Sequence, residues 1–237
     1  MAGKKPETHS VVVRFAEVMW FKELNRARKS GDYGDKNALK TLRENLARNC
    51  WIKDANGQVE ADEVTSTWSI DGKQVPLSDY VAKEMEKRKE AWNFYKQQAA
   101  VDASKSVDLL VFEMIMTHNG KLIVPKYIGI TGNRRSSEFL RAMVLRREMT
   151  EEVVDAAGKK TTKPAELDDT IPVSVKDYSD ASVRLEAQAK ENVWKTRGFL
   201  QSAPLHQLLM AQEILALGGS QNKLRNIFGA TNGVKYY

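Results

Sequence analysis

Cysteine is almost absent from this chain of 237 residues, in which Cys50 is the only one. An intramolecular disulfide is therefore excluded, and so is a zinc site built on cysteine pairs. Histidine is also scarce, and His9, His118 and His206 have no partners at metal-ligand spacing. No apolar run approaches the roughly 18 residues that span a bilayer, and the first ten residues lack the apolar segment of a secretory signal. These absences predict a cytoplasmic protein in a reducing setting, with no membrane partner.

The composition is that of a folded and mildly basic chain. Hydrophobic residues make up 42% of it, which excludes the low hydrophobicity and high charge of a disordered protein. Lys and Arg number 37 against 31 Asp and Glu, so the formal charge is +6 and the pI is about 9.2. An excess of this size permits nucleic-acid or phosphate ligands without requiring them. The length fits one large domain or two small ones.

Strand and helix patterns alternate along the chain and predict an α+β fold. Three valines at residues 10–13 are typical of a short strand. Leucines at helical spacing predict a helix over residues 36–49. Further along, the patterns predict strands at 107–117, 121–130 and 171–175, a polar loop at 150–169, and helices at 137–147, 179–195, 205–217 and 223–228.

The block at 51–105 contains turns and a helix of its own. Asn56-Gly57 and Asp71-Gly72 are typical of the type I′ turns of β-hairpins. Ser78 stands where an N-cap is expected, before a helix that reaches to about residue 98. We interpret this block as an insertion or small subdomain.

The strongest local signal is a strand followed by Gly132-Asn133-Arg134-Arg135 and then a helix. A glycine allows a tight turn and a close approach to a ligand. The helix that follows presents unpaired N–H groups and the positive end of its dipole. Two arginines add bidentate donors for phosphate oxygens. This combination predicts a phosphate cradle; the alternative is that both arginines are solvated surface residues.

The order of the later segments resembles the N-terminal domain of the ParB family. The G-x-R-R box at Gly132 is followed by the segment IPVSVKDYSD, by Glu191-Asn192 with Lys195 in the manner of an E-N-x-x-R box, and by Pro204 with its helix. The resemblance covers about 107–229, and loosely 10–49. It implies a ParB/sulfiredoxin-like fold, although the sulfiredoxin cysteine is absent.

The resemblance also implies a division of the chain. Residues 1–50 and 106–200 would form the nucleotide-binding domain, and residues 51–105 would be inserted in it. Residues 201–237 would be a helical segment that starts a helix-turn-helix, whose remainder is expected to follow Tyr237.

The family's ligands imply roles for individual residues. Partition proteins of this family bind CTP with magnesium, so the resemblance implies a nucleoside triphosphate, CTP in the first place, together with Mg²⁺. The phosphates would be bound by Gly132, Asn133, Arg134, Arg135 and Lys195. Glu191 would be catalytic, and Glu191 with Asn192 would hold the metal. Glu138 departs from the family pattern, because a carboxylate there repels phosphate unless it points away or holds a cation.

Five arginines stand against one acid between residues 134 and 147. Arg141, Arg146 and Arg147 extend the positive charge beyond the cradle and are predicted to contact DNA. Three functions remain open: a homodimeric, nucleotide-dependent DNA-binding protein of the partition type, with slow hydrolysis of the nucleotide; a ParB-fold enzyme of a mobile element, acting as a nuclease or phosphotransferase; and a non-catalytic DNA-binding adaptor.

Overall fold

A computed structural model describes residues 9–20, 36–51, 61–70, 73–102, 115–154, 156, 158–178, 181–193 and 204–228. The fold over these residues is mixed α+β, as the alternating patterns predict. Its elements in chain order are β1 (His9–Arg14), β2 (Val18–Met19), α1 (Lys36–Asn49), β3 (Asp62–Thr65), β4 (Trp68–Ile70), β5 (Lys73–Val75), α2 (Leu77–Val101), β6 (Thr117–His118), β7 (Lys121–Leu122), β8 (Tyr127–Gly129), α3 (Asn133–Arg147), β9 (Thr150–Val154), β10 (Lys160–Pro164), β11 (Thr170–Val175), α4 (Ala181–Val193), α5 (Pro204–Ala216) and α6 (Gln221–Phe228).

The main sheet has five strands in the order β1-β11-β3-β8-β2. β1 pairs antiparallel with β11 over six residues, from His9 opposite Val175 to Arg14 opposite Thr170. β3 is parallel to β11 and antiparallel to β8, and β8 is parallel to β2. The central strand, β3, therefore belongs to the 51–105 block. That block contributes this strand to the main sheet, and its status as an insertion or small subdomain stays a prediction.

Helices cover the two faces of the sheet because the strand residues alternate in direction. On one face, α1 and α3 bury a core with the strands that includes Leu46, Phe139, Ile171 and Val173. On the opposite face, Met19, Ile128, Ile130 and Tyr178 form a second core, against which α2 and α4 pack. A third cluster joins α4, α5 and α6 through apolar residues such as Leu185, Ile214 and Leu224.

A buried arginine ties helix α2 to the segments that precede β2 and follow β7. The spacing of Glu84 and Arg88 predicts an ion pair, and the structure confirms it with an Nε–Oε1 distance of 3.0 Å. Arg88 also donates to the carbonyl oxygens of Ala16 and Ile123. Burial lowers the pKa of this guanidinium, and Glu84 opposes that shift. The N-cap predicted at Ser78 is wrong, because the helix begins at Leu77 with Pro76 as its cap.

Three small hairpins of the described residues lie outside the main sheet. β4 pairs antiparallel with β5, as the hairpin prediction for this segment requires, while its turn residues lie outside the described ones. β6 pairs with β7 across Asn119 and Gly120, whose φ angles of 51° and 75° are both positive, as a type I′ turn requires. The polar loop predicted at 150–169 is wrong, because β9 and β10 pair there over five residues. Every residue of β10 is exposed. The sequence of this strand therefore lacks the alternating apolar residues by which a strand is predicted.

The last two described helices are joined by a tight turn. Gly218 has a φ of +83°, and its N–H donates to the carbonyl of Leu215, while the N–H of Gly219 donates to that of Ile214. This is the Schellman arrangement that ends a helix at a left-handed residue. None of the described helices is long and apolar enough to cross a membrane.

Several predictions fall outside the described residues. The hairpin at Asn56-Gly57 and most of the strand at 107–117 are among them, as is Lys195. The domain boundaries and the start of a helix-turn-helix also stay predictions.

Candidate functional site

The predicted turn from strand to helix is present at the N-terminal end of α3. β8 ends at Gly129, and the helix begins at Asn133 with Gly132 as its N-cap. Gly132 has a φ of +82°, in the left-handed region that favours glycine. Its carbonyl accepts the first helical hydrogen bond, from the N–H of Ser136 at 2.9 Å. Arg134 and Arg135 therefore lie in the first turn of the helix.

Arg135 is buried and forms an ion pair with Asp62 of β3. The side chains of Arg135 and Asp62 are 4% and 0% exposed, and an Nη2 of the arginine donates to Oδ1 of the carboxylate. The guanidinium also lies 5.6 Å from the centre of the Trp51 ring, in a cation–π contact. The assignment of Arg135 to a bound phosphate stays a prediction, and a phosphate there would share the guanidinium with Asp62.

The other predicted residues of the turn are Asn133, Arg134 and Gly132. Asn133 is 4% exposed, and its Oδ1 has no hydrogen-bond partner among the described residues. Arg134 is half-buried in the first turn. Gly132 is in contact with Asp62, because a Cβ built on it would lie 2.6 Å from Oδ1 and closer still to Oδ2. A phosphate at this turn would meet that carboxylate.

Glu138 points to helix α1 and holds a cation there. Its Oε2 accepts hydrogen bonds from Nε and Nη2 of Arg43 at 2.8 and 2.7 Å. Arg141 approaches the other oxygen at 3.4 Å. The carboxylate that departs from the family pattern is thus a link between α1 and α3.

Arg146 is buried, which argues against the DNA contact predicted for it. Its Nη1 donates to the carbonyls of Ala47 and Arg48 at 2.8 and 3.0 Å, in the last turn of α1. Its Nε donates to the carbonyl of Glu166, and its Nη2 pairs with Glu151 at 2.5 Å. These bonds satisfy carbonyls that a helix end leaves unpaired and anchor the β9–β10 hairpin.

The solvent-facing side of α1 and α3 carries the remaining charge. Lys40 and Arg141 have side chains 73% and 67% exposed. The exposed basic residues of the two helices, which we term the basic face, are Lys36, Lys40, Arg48, Arg141 and Arg147. Two of the three arginines predicted to contact DNA, Arg141 and Arg147, therefore belong to it.

A second acidic residue of β3 acts on the opposite face of the sheet. Glu63 accepts a hydrogen bond from the Tyr178 hydroxyl and pairs with Lys176. Burial, reinforced by the charge of Glu63, strongly raises the pKa of Tyr178. Neither Asp62 nor Glu63 was among the predicted site residues. The signal available was two adjacent acids at the start of a short strand, where side chains alternate between faces.

The predicted metal and catalytic residues belong to helix α4. Glu191 and Asn192 lie in the last turn of α4, where only the backbone is described. Within the described part of the chain, no three His, Cys, Asp or Glu side chains are grouped as a metal site requires.

No protein-family model matches this chain, and neither a curated protein nor a solved structure matches it significantly. Its geometry and chemistry are therefore the basis for a functional proposal.

Proposed function

We propose that this protein binds DNA through the basic face of α1 and α3, which contacts the phosphate backbone. The observation that carries this proposal is the distribution of charge. Five basic side chains of the two helices are exposed, whereas of their two acids Glu138 is buried and Glu44 is half-buried. Phosphate contacts of this type supply sequence-independent affinity.

The exposed positions favour a nucleic-acid partner over a small ligand. Five lysines and arginines face solvent on helices that pack side by side, and the acidic Glu138 is turned inward. A polyanion can contact several of these side chains at once and release a counterion for each.

The C-terminal helices offer a second DNA contact. α5 and α6 are joined by residues 217–220, and a turn of this length with glycine is typical of a helix-turn-helix. Leu224 and Ile227 of α6 are buried. Its exposed side is polar and consists of Gln221, Asn222, Lys223, Arg225 and Asn226, which are side chains suited to base edges and phosphates.

A nucleotide-dependent partition protein of the ParB type is the second candidate. The left-handed Gly132 and the half-buried Arg134 at the start of α3 favour it. The Asp62–Arg135 pair favours instead the non-catalytic adaptor among the three functions. Hydrolysis, the CTP and Mg²⁺ ligands, the roles of Glu191, Asn192 and Lys195, and a homodimer belong to the second candidate and stay predictions.

Fluorescence anisotropy with a short labelled duplex, measured over a series of salt concentrations, tests the proposal. The double variant Lys40→Ala, Arg141→Ala should bind more weakly. Its slope of log affinity against log salt should fall by about 2, since each lost phosphate contact removes about 1.

The matched control is Lys87→Ala with Lys89→Ala, which removes the same charge from exposed positions of α2. It should leave the slope unchanged. Equal losses in the two variants, or no binding of the unaltered chain, would contradict the proposal. Titration calorimetry with CTP, ATP, GTP and UTP distinguishes the second candidate from the first, because only the second requires that the protein bind a nucleotide.

A further inference from the structure

The start of α3 has no side-chain cap of its own. Its N-cap is Gly132, which has no side chain to accept a hydrogen bond from the first turn. The first N–H groups of a helix lack intrahelical partners, and the helix dipole makes this end positive. An anion is therefore favoured at this position.

Asp62 supplies an anion at this position from another strand. Its carboxylate lies against the backbone of Gly132, so close that it would overlap a Cβ on that residue. It is fully buried, accepts a hydrogen bond from Thr131 Oγ1 at 3.2 Å, and is paired with Arg135. Glycine is required at 132 because any larger residue would overlap this carboxylate.

β3 is held in register with this turn by its own backbone. The N–H of Ile130 donates to the carbonyl of Glu63 at 2.8 Å, and the N–H of Glu63 donates to Thr131 Oγ1 at 2.9 Å. The carboxylate of Asp62 is thus fixed beside Gly132 by the sheet and does not depend on a flexible side chain alone.

We infer that the N-terminal turn of α3 is an anion site which the chain fills with its own Asp62 carboxylate, and that acetate or inorganic phosphate takes this place when the carboxylate is removed. The turn has the glycine, the helix N-terminus and the arginines of a phosphate cradle, but the anion beside them is the Asp62 carboxylate of the chain itself. A nucleotide phosphate and Asp62 would share one buried arginine, and their like charges would repel each other. This inference is independent of DNA binding by the basic face.

Chemical rescue of Asp62→Ala tests the inference. The variant leaves Arg135 buried without its partner, so its thermal midpoint should fall by about 10 °C. Sodium acetate should recover at least about half of that loss if it restores the buried ion pair, whereas sodium chloride at the same ionic strength should not. Inorganic phosphate, tested in the same way, shows whether the space also admits a tetrahedral anion.

Glu63→Ala is the matched control, because it removes the next carboxylate of the same strand from the opposite face of the sheet. Acetate should stabilise it no more than it stabilises the unaltered chain. Equal rescue of both variants, or no rescue of Asp62→Ala by either anion, would overturn the inference.

A measurement on the unaltered chain decides the question if Asp62→Ala does not fold. Inorganic triphosphate, and CTP with Mg²⁺, should leave its thermal midpoint unchanged relative to matched salt. A saturable rise that Arg134→Ala abolishes would mean that the turn accepts phosphate with Asp62 in place, which would also overturn the inference. DNA binding would be unaffected by either result.

Discussion

Helix α3 has arginines on both of its faces, and the two faces use them differently. On the inner face, Arg135 is paired with Asp62 and Arg146 with Glu151 and three carbonyl oxygens. On the outer face, Arg141 and Arg147 are exposed. The comparison shows that the charge of a helix and the charge it offers to a partner are separate quantities.

Burial determines the difference. A buried guanidinium is stable only with partners that replace its lost hydration, and the inner arginines have them. An exposed arginine keeps its hydration and gains little from a neighbouring acid. The inner arginines therefore stabilise the fold, and the outer ones remain available to a polyanion.

The largest loss of stability is expected when Arg135 on the inner face is replaced. Arg135→Ala leaves the carboxylate of Asp62 buried without its guanidinium, so the free energy of unfolding should fall by about 3–5 kcal/mol in urea denaturation. Arg135→Ala combined with Asp62→Asn should lose less than the sum of the single changes, because no buried charge is left. A loss below about 1 kcal/mol in Arg135→Ala, as for an exposed pair, would contradict the comparison.

The neighbours Arg146 and Arg147 allow a direct test of the two faces. Arg146→Ala should lower the free energy of unfolding by about 2–3 kcal/mol, because the carbonyls of Ala47 and Arg48 lose a buried charged donor. Arg147→Ala should change it by less than about 0.5 kcal/mol. DNA affinity should show the reverse order when the anisotropy assay is run on both folded variants. If the same variant lost more in both stability and DNA affinity, the distinction between an inner and an outer face of α3 would be wrong.

An effect of intermediate size on the free energy of unfolding is expected for Glu138, which is buried between α1 and α3. Glu138→Gln keeps the shape but weakens the charged hydrogen bonds from Arg43, so the loss should be about 1–2 kcal/mol. Glu44→Gln is the control, because Glu44 approaches Lys40 only at 4.0 Å on the surface. It should cost less than about 0.5 kcal/mol. If the two variants lost similar amounts of unfolding free energy, the pair of Glu138 with Arg43 would contribute no more than a surface ion pair.

The smallest effect is expected on the opposite face of β3. Tyr178→Phe removes one hydrogen bond to Glu63, which keeps Lys176, so the loss near neutral pH should be about 1 kcal/mol. The raised pKa of Tyr178 adds a dependence on pH. Above about pH 10 the unfolded chain releases the phenolic proton and the folded chain keeps it, so stability falls as pH rises.

The Phe variant lacks this proton and should lose stability less steeply over that range. Urea denaturation at neutral pH and above the ordinary tyrosine pKa measures the difference. Parallel slopes in the two proteins would show that Tyr178 ionises freely.

Periodicity predicted most of the described elements. The leucines of α1 and the strand–glycine–helix order at Gly132 each have a local cause in the chain. The β9–β10 hairpin was missed because β10 is exposed throughout and β9 only alternates between exposed and half-buried residues, so neither strand carries an inward-facing apolar pattern. No strand was predicted at Asp62–Thr65, because this segment is short and begins with two acids. Its central position depends in addition on contacts between distant segments.

The candidate site was predicted only in its outline. The turn at Gly132 follows from local sequence, but the partner of Arg135 lies 73 residues away in sequence and that of Glu138 lies 95 away. Spacing along one helix does not reveal which of its arginines a distant acid will bury. Arg141 and Arg147 agree with an exposed role because no such partner buries them.

The pairing of β1 with β11 has a consequence for synthesis of the protein. The first described strand has its partner at residues 170–175, so the sheet cannot be completed until more than 150 further residues have been added. At about 5–20 residues per second this takes roughly 10–30 seconds. During that time the valines of β1 lack their strand, which exposes a short aggregation-prone segment. We expect proteolysis of ribosome-arrested chains to cleave near β1 until β11 has emerged, and early protection there would contradict this order of assembly.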